Sequence, residues 1–272
     1  MELLSQYGLF LAKIATVVIA IAVVAVLIVN LTQRKRQRGE LRITRLSEQY
    51  KEMQEEMSLA LLDSHQQKLW LKAQKKKHKQ EAKAAKAKAK LNTPQDKVTP
   101  RVYVLDFKGS MDAHEVASLR EEVTAVLAVA TPQDQVVVRL ESPGGVVHGY
   151  GLAASQLQRL REKQIPLTVA VDKVAASGGY MMACVADKIV AAPFSIIGSI
   201  GVVAQIPNFN RFLKNKEIDI ELHTAGQYKR TLTLLGENTE EGRQKFREDL
   251  NETHHLFKDF VHRMRPTLDK EE

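Results

Sequence analysis

Three regimes of hydrophobic patterning succeed one another along the chain. From Ile14 to Val29 every residue except Thr16 is apolar, with Gly8–Ala12 before the run and Asn30-Leu31 after it. The run approaches the roughly 20 residues that a bilayer-spanning helix needs. No basic segment precedes it and no small-x-small cleavage site comes after it in polar context, so residues 1–33 are expected to be a retained transmembrane anchor rather than a cleaved leader. Between residues 41 and 90 the apolar positions Leu41, Ile43, Leu46, Tyr50, Met53, Met57, Leu61 and Leu62 recur mostly three and four apart. That period predicts a long helix or a short coiled coil, running into the Lys/Ala tract of residues 72–90. Thr93-Pro94 and Thr99-Pro100 mark a linker, so residues 34–100 read as a basic helical stalk.

After Pro100 the period changes. Short β-branched runs at 102–107, 135–140, 166–171, 188–192 and 219–222 predict strands, and segments of helical period at 113–129, 147–163, 179–186 and 239–264 predict helices. Strands alternating with helices imply a mostly parallel, layered α/β domain over residues 101–272. The apolar stretch Ile189–Val203 is interrupted by Pro193, Ser195, Gly198, Ser199 and Gly201, which predicts buried strand and turn rather than a second span.

Charge separates the same regions. The first hundred residues hold 19 Lys and Arg against 9 Asp and Glu, whereas residues 101–272 hold 21 against 23. The basicity belongs to the front end and the rest is an ordinary near-neutral globular region. Arg34, Lys35, Arg36 and Arg38 come directly after the apolar run, and by the positive-inside rule they favour a cytoplasmic location for the stalk and the α/β domain. The Lys/Ala tract lacks interleaved aromatics, so it reads as a solvated stalk; membrane lipid is the expected partner of residues 9–31 and a candidate partner of the stalk, and no nucleic acid is expected. Cys184 is the single cysteine and lies in an apolar helical pattern, the usual setting of an inert thiol. There is no HExxH, Cys pair or close His/Asp cluster, so neither a metal nor another cofactor is expected.

In a parallel sheet, functional groups gather in loops past the carboxyl ends of the strands. Three such loops stand out: ESPGGVVHG at 141–149, the turn carrying Ser177 ahead of two glycines, and TAGQYKR at 224–230 with Lys229. Ser177 precedes a helical segment and is either an N-cap or a nucleophile beside N–H groups that stabilise an oxyanion. Taken alone, the cap is the better reading. His65 and His78 fall in the stalk and His254, His255 and His262 on a charged helix, while His223 and His148 have no distinctive context; a Ser-His-Asp triad is unsupported.

Four motifs in register change that balance. SPGG at 142–145, ASGGY at 176–180, GSIGV at 198–202 and GQYK at 226–229 resemble the signal peptide peptidase A family of membrane-bound serine proteases, and look most like its bacterial SohB branch. The resemblance covers about residues 101–265. It implies a Clp protease/crotonase-like layered spiral, with Ser177 as nucleophile and Lys229 as general base. A lysine serves as base only when its ammonium has lost a proton, which burial away from counter-charges favours; Tyr228 and Arg230 are placed to help. By the same resemblance Ser199 orients the lysine, and the oxyanion hole is formed by the N–H of Gly178 and one from the SPGG loop, assigned to Gly145 with Gly144 as second choice.

The family also implies peptide or unfolded-protein substrates, such as signal peptides and short hydrophobic segments, and ring-shaped homo-oligomers. It implies a bacterial inner-membrane location with a periplasmic catalytic domain, against the positive-inside reading. Relatives continue beyond the position of Glu272, so the catalytic unit is expected to be C-terminally incomplete. Two alternatives remain: a crotonase-type acyl-CoA enzyme, whose GG loops also build oxyanion holes, and a catalytically inactive membrane scaffold of the same fold.

Overall fold

The computed structural model describes residues 13–21, 24, 41–90, 99–226 and 228–268. Residues 13–21 and 24 are helical and solvent-exposed, while most of the expected anchor lies outside the described residues. Among the described residues no helix is long and apolar enough to cross a membrane.

Residues 40–100 form one compact unit. The expected long helix is two helices here, α1 (Leu46–Ala60) and α2 (Ser64–Lys90). Asp63 ends the run: its carboxylate accepts the backbone N–H groups of His65 and Gln66 at 2.9 and 2.8 Å, which starts α2 afresh. Gln67 then ties the two helices together, donating to the carbonyls of Leu59 and Leu62.

Residues 101–268 belong to the second unit. Its main sheet holds β1 (Val102–Lys108), β2 (Gln135–Glu141), β3 (Leu167–Val171) and β5 (Lys188–Ala191) in that spatial order, all parallel. Crossovers run through α3 (Val116–Val129) and α4 (Val147–Glu162). A smaller parallel pair, β4 (Val174–Ala176) and β6 (Ile196–Gly198), lies beside α5 (Gly178–Ala183). The chain then passes through α6 (Asn210–Lys214) and ends in α7 (Glu240–Met264), capped by Thr239, whose Oγ accepts the N–H of Gly242.

Alternation decides which face is buried. Val136, Val138 and Leu140 of β2 and Leu167, Val169 and Val171 of β3 point to the core, while Gln135 and Arg139 point to solvent. The helical faces Val116, Leu119, Val123 and Val126 and Tyr150, Ala153, Leu157 and Leu160 pack on them. Every residue of α5 is buried, so the segment after Ser177 is anchored in the centre of the core.

Two expectations are corrected. Residues 219–222 form no strand; they are exposed and enter no ladder, so their β-branched pattern finds no partner edge. The stretch 189–203 does contain strand and turn, but it is not buried: Phe194 is 99% and Val203 92% exposed. β5 and β6 are edge strands of their sheets.

Candidate active site

The site is built where the two sheets meet. Ser142, immediately after β2, pairs with Ala175: its N–H donates to the Val174 carbonyl at 2.9 Å and its own carbonyl accepts the N–H of Ala176 at 3.0 Å. This pins the SPGG loop against the last residues before Ser177. On the other side, the Ser177 N–H donates to the Gly198 carbonyl at 2.8 Å, continuing the β4–β6 register in which Ala176 faces Gly198. Ser199, at φ +55°, therefore lies directly alongside Ser177.

Ser177 itself occupies φ +51°, ψ −119°, a region that residues with a Cβ rarely adopt. Such strain costs about 1–3 kcal/mol and persists where the surrounding structure over-determines it. Although Ser177 stands at the N-cap position of α5, its side chain makes no capping hydrogen bond. The cap reading thus loses the interaction that defines it. Ser177 is half-buried at a sharp strand-to-helix turn, between β4 and α5.

The glycines explain how the loops approach so closely. Gly144, at φ +91°, lies so near that a Cβ there would come within 2.7 Å of Ser177 Cβ and 2.8 Å of the Gly178 nitrogen. At Gly145 a Cβ would collide with the Met111 carbonyl, which accepts the N–H of Val146 at 2.9 Å. A Cβ on Gly178 would strike the Tyr150 ring. The N–H of Gly144 donates to Ser142 Oγ at 3.1 Å. No hydrogen bond among the described residues takes up the N–H of Gly145 or of Gly178, which leaves these two donors beside Ser177.

Lys229 is placed differently. It is exposed in the loop before α7, its N–H donating to the Gly226 carbonyl at 3.4 Å, and no hydrogen bond or ion pair joins its side chain to Ser177 or Ser199 among the described residues. Tyr228 turns toward α7: its hydroxyl is 3.5 Å from Glu241 Oε1, and Lys245 Nζ lies 5.8 Å from its ring centroid. Arg230 is exposed. The structure thus brings together Ser177, Gly178, Gly144, Gly145 and Ser199, and leaves Lys229 outside.

The thiol and the two histidines weighed from the sequence are placed as follows. Cys184 is fully buried, donates to the Met181 carbonyl at 3.2 Å, and has its thiol pushed up to about 12 by that burial. His223 and His148 are exposed, the former 3.3 Å from Glu221. A polar cluster not singled out from the sequence lies beside the SPGG loop: His114 Nδ1 is 2.9 Å from Asp112, and Ser110 Oγ donates to Asp112 and Glu115 at 2.8 Å each. Hydrogen bonds from Ser110 and His114 hold the Asp112 carboxyl below the usual carboxylate range. Only the close spacing of its polar residues within GSMDAHE marked it. Among the described residues no group of His, Cys, Asp and Glu is arranged to hold a metal.

Residues 2–157 match the family model described as peptidase family S49 N-terminal, and residues 159–271 match peptidase family S49. The chain is 53% identical over 274 residues to the probable protease SohB of Buchnera aphidicola subsp. Schlechtendalia chinensis, covering 100% of this chain and 90% of the relative. It is 54% identical over 270 residues to the probable protease SohB of Haemophilus influenzae, covering 98% and 76%. Among solved structures, a membrane protease from Pyrococcus horikoshii specific for a stomatin homolog aligns with 43% of this chain and 56% of its own, at 21% identity and a TM-score of 0.32, a likeness too partial to carry an argument.

Proposed function

Because the chain belongs to peptidase family S49, we propose that it is a membrane-anchored serine endopeptidase in which Ser177 attacks the scissile carbonyl and Lys229 accepts its proton. The observation that carries this reading is the strained Ser177, without a capping bond and flanked by the unoccupied N–H groups of Gly178 and Gly145. In the proposed reaction the Ser177 oxygen adds to the carbonyl carbon, and the two N–H groups receive the resulting oxyanion. Collapse breaks the C–N bond, the leaving amine takes the proton from Lys229, and water repeats the sequence on the acyl-enzyme. Ser199, beside Ser177, would aim the lysine amine. For this the loop carrying Lys229 closes over Ser199.

The remaining parts of the reading come from the family and from the sequence. The two successive parallel sheets suit a layered spiral of the Clp protease/crotonase type. Residues 1–33 anchor the chain in a bacterial inner membrane, residues 34–100 form the stalk, and residues 101–272 form the catalytic unit, in the periplasm. Substrates are signal peptides and other short or unfolded hydrophobic segments, admitted to a ring of identical subunits. Exposed apolar side chains from Phe194 through Val203, Phe212, Leu222 and Leu234 supply surface that such assembly would cover.

The test is cleavage of a short hydrophobic fluorogenic peptide by the full chain in detergent, with Ser177→Ala and Lys229→Ala alongside. Both variants are expected to fall to background while remaining folded, and only the parent and Lys229→Ala to keep a nucleophile for slow fluorophosphonate labelling. Cleavage by Ser177→Ala at the parent rate would sink the proposal. Acyl-CoA turnover without peptidase activity would favour the crotonase-type alternative, and neither activity the scaffold.

A further inference from the structure

Tyr150 and Ser142 lie behind the site, both fully buried and both polar at their tips. Tyr150 Oη is 2.6 Å from Ser142 Oγ and donates to the Ser110 carbonyl at 2.8 Å. A phenol has one proton, so the bond to Ser110 uses it, and the Ser142 hydroxyl must be the donor to Tyr150. Ser142 Oγ in turn accepts the N–H of Gly144 at 3.1 Å. The direction of the whole chain is therefore fixed: Gly144 N–H to Ser142 O–H to Tyr150 O–H to the Ser110 carbonyl. Each bond polarises the next, and each member is satisfied.

This chain decides which N–H groups of the SPGG loop remain unoccupied. It consumes the donor of Gly144 and so leaves Gly145 as the donor of the SPGG loop. The other half of the same side chain acts on the other donor: the Tyr150 ring lies against the Cα of Gly178 so closely that no Cβ fits between them. Gly109 and Gly179 close the remaining sides, with a Cβ at Gly109 falling 2.8 Å from Ser142 Oγ and one at Gly179 falling 3.1 Å from Ser142 Cβ. Burial raises the Tyr150 phenol above its ordinary value, which favours the protonated form that donates to the Ser110 carbonyl.

We propose that Tyr150, acting through Ser142, is the positioning residue of the oxyanion hole: its hydroxyl sets the Gly145 donor and its ring sets the Gly178 donor. The inference rests on Ser177 being the nucleophile. Displacing such a donor by about 1 Å is enough to cost about 10²-fold in turnover.

The test uses the full chain in detergent, with the active fraction titrated by a fluorophosphonate so that loss of folded protein is separated from loss of rate. Tyr150→Phe keeps the ring and removes the hydroxyl; turnover per titrated site is expected to fall about 10²-fold, with KM within about twofold of the parent. Ser142→Ala is expected to do the same, and the double variant to fall no further than either single one, because all three break one chain. Should Tyr150→Phe not fold, Ser142→Ala carries the same readout. Unchanged turnover per titrated site, a rise in KM with kcat preserved, or full additivity in the double variant would each overturn the inference. A parent that neither cleaves nor labels would instead overturn the nucleophile reading, and this inference with it.

Discussion

Ser177→Gly separates a strained nucleophile from a helix cap by stability alone. At φ +51°, ψ −119° the serine bears strain of about 1–3 kcal/mol because it has a Cβ. Glycine adopts this conformation freely but gives back about 0.5–1 kcal/mol in unfolded-chain entropy. The half-buried Cβ it deletes is worth at most about 0.8 kcal/mol. Taking mid-range values, Ser177→Gly should be more stable than the parent by about 0.5–1 kcal/mol, a rise of about 1–4 °C in Tm for a domain of this size. Ser177→Ala keeps the strain and loses no capping bond, so it should match the parent within about 0.5 kcal/mol. The assay is reversible urea unfolding monitored by far-ultraviolet circular dichroism at constant detergent, with peptidase activity abolished in both variants. A cap predicts instead that both variants fall below the parent, alanine by about 0.5–2 kcal/mol and glycine by a few tenths. That outcome would refute the strain argument and take the structural support for the nucleophile with it.

Three further outcomes are expected. Gly144→Ala should destabilise the protein by about 3 kcal/mol, since it adds positive-φ strain to overpacking, its Cβ falling within 2.8 Å of the Ala176 carbonyl and the Gly178 nitrogen; denaturant midpoints measure it. Cys184 has a folded pKa of about 12 against an ordinary 9.0, so the unfolded chain loses its proton first and stability falls as pH rises from about 9 toward 12; urea midpoints across that range should slope downward, less steeply in Cys184→Ala, and the native thiol should resist alkylation. Asp134 accepts the N–H groups of Thr131 and Arg101 at 2.7 Å each, which holds its carboxyl below 3.8. Its contribution is therefore present above that value and lost as pH falls through the lower folded pKa, so Asp134→Asn should unfold at lower temperature near neutrality and show a flatter acid limb.

The hydrophobic pattern alone determined the frame of the α/β region after Pro100. Four of the five expected strands and all four expected helices of residues 101–272 are present within a few residues of the ends read from the pattern, because alternation in β2 and β3 and helical period in α3 and α4 are local signatures of which face is buried. The motifs SPGG, ASGGY and GSIGV were equally legible, and the strands β2, β4 and β6 bring them to one place. Local pattern failed where the outcome depended on a partner: 219–222 has strand composition and no edge to pair with, and 189–203 is apolar yet exposed because it continues from two edge strands. The role of Ser177 also lay beyond the pattern. A serine before a helix has one composition whether it caps or is strained, and only the backbone angle and the absence of a capping bond distinguish the two. The same holds for Tyr150, which reads as one more apolar position of α4; the pairing of Ser142 with Ala175 and the closeness of Gly178 turn it into the link between the SPGG loop and the turn at Ser177, a relation that exists only once the strands have paired.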